Sequence, residues 1–120
     1  MIMQIKNAII TKTGLGFEGH GFMTCWLELN CGGFFKTFGG YRLDMWQKEQ
    51  GRSVGTAYGL EFIMGILRAL DVESWEKLVG EKIRVQLVDY HCKIQAIGHF
   101  FEDQWFDPST LKASLVGAYE

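Results

Sequence analysis

One proline and three cysteines are all that the 120 residues contain of either type. So little proline, with no repeat and no low-complexity tract, leaves no linker, and the chain reads as a single domain. An odd, small number of cysteines does not fit a disulfide framework. Reduced thiols in a cytoplasm are the expectation. Long apolar runs are missing too: the longest stretch without Asp, Glu, Lys or Arg is residues 19–27, nine residues, against the ~20 that span a bilayer. The start, Met-Ile-Met-Gln-Ile-Lys, carries no apolar signal segment. No membrane partner is expected. Charge of one sign is also lacking. A net charge of -2 does not suit a protein that grips duplex DNA through phosphates, nor one that imitates DNA by acidity.

What is present is a foldable chain. The hydrophobic share of 48% and charged share of 22% are those of a globular domain with a buried core. Residues 57–70 carry Leu60, Ile63, Met64, Leu67 and Leu70 at helical spacing. The only charges there are Glu61 and Arg68, so most of this helix should be buried. Its apolar circumference, Phe62 and Ile66 included, exceeds what one sheet face covers and predicts a homo-oligomer, a dimer in the simplest case.

Strands are expected on both sides of it. Residues 3–12 form the first, with Gly14-Leu15-Gly16 and Glu18-Gly19 in a loop after it. Residues 22–31 form the second, with Met23, Cys25, Leu27, Leu29 and Cys31 facing the core. Gly32-Gly33 is a hairpin turn into a third, residues 34–44. Gly39-Gly40 interrupts that strand and marks a bulge or a close backbone approach. Residues 44–51 read as a loop. Ser74 is placed as N-cap of a short turn that Gly80 ends. Residues 81–89 and 93–101 make a second hairpin, its first strand facing the core with Ile83, Val85 and Leu87, its second with Ile94, Ala96 and Phe100. Asp107-Pro108-Ser109 is a helix-start signature. The sum is α+β: an antiparallel sheet of about five strands, β-β-β-α-β-β, with one main helix packed on one face.

Three groups of residues could carry chemistry. Gly51-Arg52-Ser53-Val54-Gly55-Thr56 precedes the helix, and Arg52, Ser53 and Thr56 with converging N–H groups could hold an anion. The phosphate-loop pattern requires Lys-Ser or Lys-Thr after its last glycine, whereas Thr56-Ala57 follows here. The plainer alternative is a cap behind a flexible loop. The sheet face away from the helix is the second group, with Trp26, Glu28, Phe34, Lys36, Phe38 and Arg42 placed outward and Gly39-Gly40 opening space beside Phe38 and Tyr41. Rings and cations together suit a nucleotide, a single strand or a protein partner. Histidines and cysteines are the third. His20, Cys25, Cys31, His91, Cys92 and His99 show neither zinc spacing nor a nucleophile beside a base. The carboxylates Asp71, Glu73 and Glu76, and Glu102, Asp103 and Asp107, read as solvated loop charge. No cofactor or metal is expected.

Four segments carry a resemblance: Gly39-Gly40-Tyr41-Arg42-Leu43-Asp44, Gly55-Thr56-Ala57-Tyr58-Gly59, Trp75-Glu76-Lys77-Leu78-Val79-Gly80 and Trp105-Phe106-Asp107-Pro108. Over about residues 5–108 the chain resembles small uncharacterised proteins of tailed bacteriophages and prophages. The resemblance assigns no residue a role. It implies an accessory protein acting in the host cytoplasm. The leading expectation is a non-enzymatic inhibitor of a bacterial defence system, which would occlude a CRISPR effector or sequester a nucleotide signal. The alternative is a single-strand-binding accessory protein of phage replication or recombination. A small enzyme holding a phosphorylated substrate on Arg52 and Thr56 comes third.

Overall fold

A computed structural model of the chain describes residues 3–88 and 93–115. His91 and Cys92 lie outside the described residues. The elements in order are β1 (Met3–Phe17), β2 (Met23–Asn30), β3 (Phe35–Gly39), β4 (Asp44–Gln47), β5 (Arg52–Gly55), α1 (Ala57–Leu70), a 3₁₀ turn (Trp75–Lys77), β6 (Lys82–Val88), β7 (Lys93–His99), β8 (Trp105–Phe106) and α2 (Pro108–Leu115). The fold is α+β, as its sequence pattern implies. Six strands form one antiparallel sheet in the order β3-β2-β1-β6-β7-β8, and β4 with β5 forms a separate two-stranded ribbon.

β1 organises the sheet. Its first half, Met3 to Ile9, pairs with β6, and its second half, Ile9 to Phe17, pairs with β2. The register shifts between Ile10 and Lys12, so Thr11 is an extra residue that bends the strand. Three hairpin-connected strands whose fourth returns beside the first make a Greek key. The expected loop at Gly14-Leu15-Gly16 is instead strand. The ring of Trp26, opposite Gly14, fills the space a Cβ at Gly14 would need. The apolar cover that glycine lacks comes from across the ladder. Gly98 and Trp105 repeat this arrangement between β7 and β8.

The inner face carries Ala8, Ile10, Cys25, Leu27, Leu29, Ile83, Val85, Leu87, Ile94 and Ile97, all buried. On β7 the inward series is not the expected one. A register shift at Gln86/Leu87 sets Ile94 against Leu87 but Ile97 against Val85. Ala96 therefore pairs with Gln86 on the other face, and Phe100 lies beyond the strand.

The sheet curls until its edges meet. Phe38 on edge strand β3 and Phe106 on edge strand β8 have ring centroids 6.3 Å apart. Five flat strand spacings would separate those edges by about 24 Å. Both rings contact Phe62 of α1, at 6.0 and 5.0 Å. The result is a partly open barrel whose gap is filled by the helix.

α1 keeps its expected bounds. The Thr56 hydroxyl accepts the Gly59 N–H at 2.9 Å, which caps the first turn. At the other end Asp71 takes a left-handed conformation, and Val72 N–H reaches Leu67 O at 3.0 Å. The buried stripe is Gly59, Phe62, Ile66, Ala69 and Leu70. Leu60 is 59% exposed and Met64 38%, so the helix is turned by about one residue, ~100°, from the expected stripe. Close approaches at two glycines set this rotation. A Cβ on Gly59 would lie 2.1 Å from the Leu43 carbonyl oxygen, and one on Gly65 would lie 2.5 Å from the Phe106 ring.

Two expected stretches between β2 and α1 are corrected. The third strand stops at Gly39, because a Cβ there would sit 2.5 Å from the Cys25 carbonyl oxygen and the chain turns away. That close approach is the one the glycine pair implied. Residues 44–51 with the Gly51–Thr56 segment are not loops but the β4–β5 hairpin, with Trp46 opposite Ser53. Ser74 precedes the 3₁₀ turn as expected, yet its side chain makes no capping hydrogen bond. Asp107 does start α2: its Oδ1 accepts from Ser109 N, Ser109 Oγ and Gln95 Nε2. No helix among the described residues is long and apolar enough to cross a membrane.

Candidate nucleic-acid interface

The outer face of the sheet follows from register, since cross-strand partners point the same way. Asn30 pairs with Phe35 and with Ile9, and Ile9 pairs with Lys82, giving one row across four strands. On one side of it, Gly39, Trp26 and Gly14 form a second row, with Thr37, Glu28 and Lys12 between. On the other, Asn7, Arg84, Gly98 and Trp105 form a third. These rows present three aromatic groups, Phe35 (60% exposed), Trp26 (37%) and the half-buried Trp105.

In those rows the cations are Lys12, Lys82 and Arg84, and the one carboxylate is Glu28, opposite Lys12. Among the described residues none of the three cations forms an ion pair. Arg84 is held in place. Its Nε donates to His99 O at 2.8 Å, its Nη2 to Glu102 O at 2.9 Å, and its guanidinium lies 4.9 Å from the Trp105 ring centre. Trp105 Nε1 in turn donates to Asp103. The other described carboxylates lie on the hairpin, the helix and the loops, with Asp103 at the Trp105 edge of the face, so within these rows the cations outnumber the carboxylates although the chain's net charge is -2.

The residues predicted for the site separate into groups. Trp26 is on the outer face. Phe38, 3% exposed, is not: it belongs to the core, opposite Leu27. Lys36 pairs with Leu29 and so lies on the inner side of the edge strand, half-buried, with Phe34 on the same side. Tyr41 covers Phe62, ring centres 5.5 Å apart. Arg42 ties the ribbon down: its Nε donates to Asp44 at 3.1 Å, its Nη2 to Ser53 Oγ at 3.2 Å, and it lies over the Phe22 ring. Among the described residues Arg52 reaches only the carbonyl of Ser53, at 3.2 Å. Thr56 accepts from Gly59 N and donates to Leu43 O. Ser53 and Thr56 are thus engaged in holding the ribbon and the helix start, and the strand at β5 gathers no cradle of N–H groups. The plainer reading of the glycine segment, a helix cap, matches the geometry.

The cysteines fit their core position. Burial pushes the Cys25 thiol up to about 12, and burial also raises Cys31, against the pull of Lys36 and Lys6. No group of three or more potential metal ligands gathers among the described residues.

Sequence reasoning missed Lys12, Phe35, Lys82, Arg84 and Trp105 at this face. The signal for Phe35 was available. A two-residue turn at Gly32-Gly33 sets Phe34 against Cys31, so the core parity of β2 passes to Phe34, Lys36 and Phe38, and Phe35 must face out. The cations on β6 required the strand order. Comparison with protein-family models, with curated proteins and with solved structures finds no match.

Proposed function

We propose that the protein binds single-stranded nucleic acid across the outer face of β1, β2, β3 and β6, as a non-enzymatic accessory protein of phage replication or recombination. The observation that carries this reading is the alternation of Trp26, Phe35 and Trp105 with Lys12, Lys82 and Arg84 on one face of a partly open Greek-key barrel. Barrels of that kind bind oligonucleotides on the faces of their early strands. Bases stack on rings while ammonium and guanidinium groups meet phosphates.

The test is fluorescence anisotropy with a labelled single-stranded oligonucleotide over a salt series. Three cations predict a slope of log K against log salt of about -2, at ~0.7 per neutralised phosphate. Lys12→Ala and Lys82→Ala are each expected to reduce that slope by about 0.7. Phe35→Ala is expected to weaken binding by about 1–3 kcal/mol at every salt concentration. Absence of binding at low salt overturns the reading.

The near-neutral net charge favours a second reading, a phage-encoded inhibitor of a bacterial defence system that covers an effector or takes up a nucleotide signal. It predicts restored phage growth in a defended host with no affinity for oligonucleotides. Self-association through the outward Leu60 and Met64 belongs to that reading.

A further inference from the structure

Between the central strands and the Gly32-Gly33 turn the outer face is indented. A cleft of about 360 Å³ is lined by Asn7, Asn30, Lys82, Phe100 and the two turn glycines. Its size is at the low end for ligand sites and suits one nucleotide unit rather than a length of strand. It sits in the row that also holds Phe35, beside the row that holds Arg84.

The chemistry of its walls is directional. Asn30 Oδ1 already accepts two backbone N–H groups, from Gly32 at 3.2 Å and Gly33 at 3.0 Å. Those bonds orient the amide and leave its Nδ2 as a donor. The Asn7 side chain makes no hydrogen bond with the described residues, so its amide is available to a ligand. Phe100 forms one wall and lies edge-on to Phe101, ring centres 4.9 Å apart and planes at 84°. Lys82 supplies a cation at the rim.

Resting on the strand-binding reading, we infer that this cleft takes a single unstacked base and selects bases with a carbonyl edge. Asn30 Nδ2 donates to the base carbonyl, Phe100 covers the ring, and Lys82 meets the adjoining phosphate. Thymine satisfies the donor with a carbonyl; adenine can offer Nδ2 a ring nitrogen, but the amino group beside it finds no acceptor, because the Asn30 oxygen that completes the usual Asn–adenine pair is filled by the Gly32 and Gly33 N–H groups.

The experiment compares affinities for oligo-dT and oligo-dA of equal length in wild type, Asn30→Asp and Asn7→Ala. Asn30→Asp keeps an oxygen for the Gly32 and Gly33 N–H groups, so the turn is preserved, but it replaces the donor by an acceptor. Wild type is expected to prefer dT by about fivefold or more, the scale of one lost hydrogen-bonded contact. Asn30→Asp is expected to abolish or reverse that ratio, while the added charge weakens both ligands alike. Asn7→Ala removes an amide that can both donate and accept, so it is expected to weaken both strands alike and leave the ratio unchanged. If Asn30→Asp keeps the wild-type ratio within twofold while strands still bind, the base pocket is wrong and the strand-binding reading stands. If no strand binds at low salt, both fall together.

Discussion

At the scale of single residues, the fold depends on places where a Cβ is absent. Gly59 tests this. In an open helix, alanine there would be favoured by about 1 kcal/mol. Here the new methyl would meet the Leu43 carbonyl oxygen, which also accepts the Thr56 hydroxyl at 2.8 Å and so cannot easily withdraw. Gly59→Ala is expected to destabilise by about 1–3 kcal/mol, read as a lower urea midpoint at unchanged m-value. A second residue-scale test concerns the β1–β2 turn. The hydrogen bond that His20 Nδ1 donates to the Glu18 carboxylate, at 2.9 Å, and then the carboxylate's charge raise the His20 imidazole above its ordinary 6.5. Desolvation pushes the Glu18 carboxyl up, but its bonds to the His20 side chain and backbone outweigh that, and it ends below 4.5. The His20 contribution is complete below 6.5 and is lost as pH rises through the raised value; that of Glu18 is complete above 4.5 and is lost as pH falls through the lowered one. The pair therefore supports the turn between those limits. An NMR titration should find His20 above 6.5, and Glu18→Gln should return it there.

At the scale of elements, β8 has two residues and still closes the barrel. Phe106 meets Phe38, Phe62 and the hollow at Gly65. Phe106→Ala is expected to lower stability by about 3–5 kcal/mol, measured by denaturant titration, far more than the length of the strand suggests. The two helix ends were legible because caps are local chemistry: Thr56 and the left-handed Asp71 act within one turn. The rotation of α1 was not, since a helix apolar on nearly all sides has no preferred stripe until a partner approaches its glycines. The β4–β5 ribbon was hidden for a related reason. Asp44–Gln47 and Arg52–Gly55 lack alternation, and Arg42 with its bonds to Asp44 and Ser53 stands outside both strands. Of the candidate site, Trp26 was readable from β2 alone. The parity of β3 was readable from its turn, and the β6 cations depended on a pairing some eighty residues long in sequence.

At the scale of the whole molecule, net charge misleads and its distribution informs. Among the described residues most carboxylates lie on the ribbon, the helix and the loops, while Lys12, Lys82 and Arg84, with Glu28 as the one carboxylate in their rows, share the face that also carries the rings. That face is built on β1, and β1 has a history as well as a position. Its second half can pair as soon as β2 leaves the ribosome, but its first half waits for β6, whose Val88 is the partner of Met3. At ~5–20 residues per second the wait during synthesis is about 4–16 s. For that interval the nascent chain displays an open strand edge bearing Ile5 and Ile9, with half the barrel unbuilt. Chaperone demand in the cell should therefore fall on this one strand, and its burden should ease only when the last third of the protein has emerged.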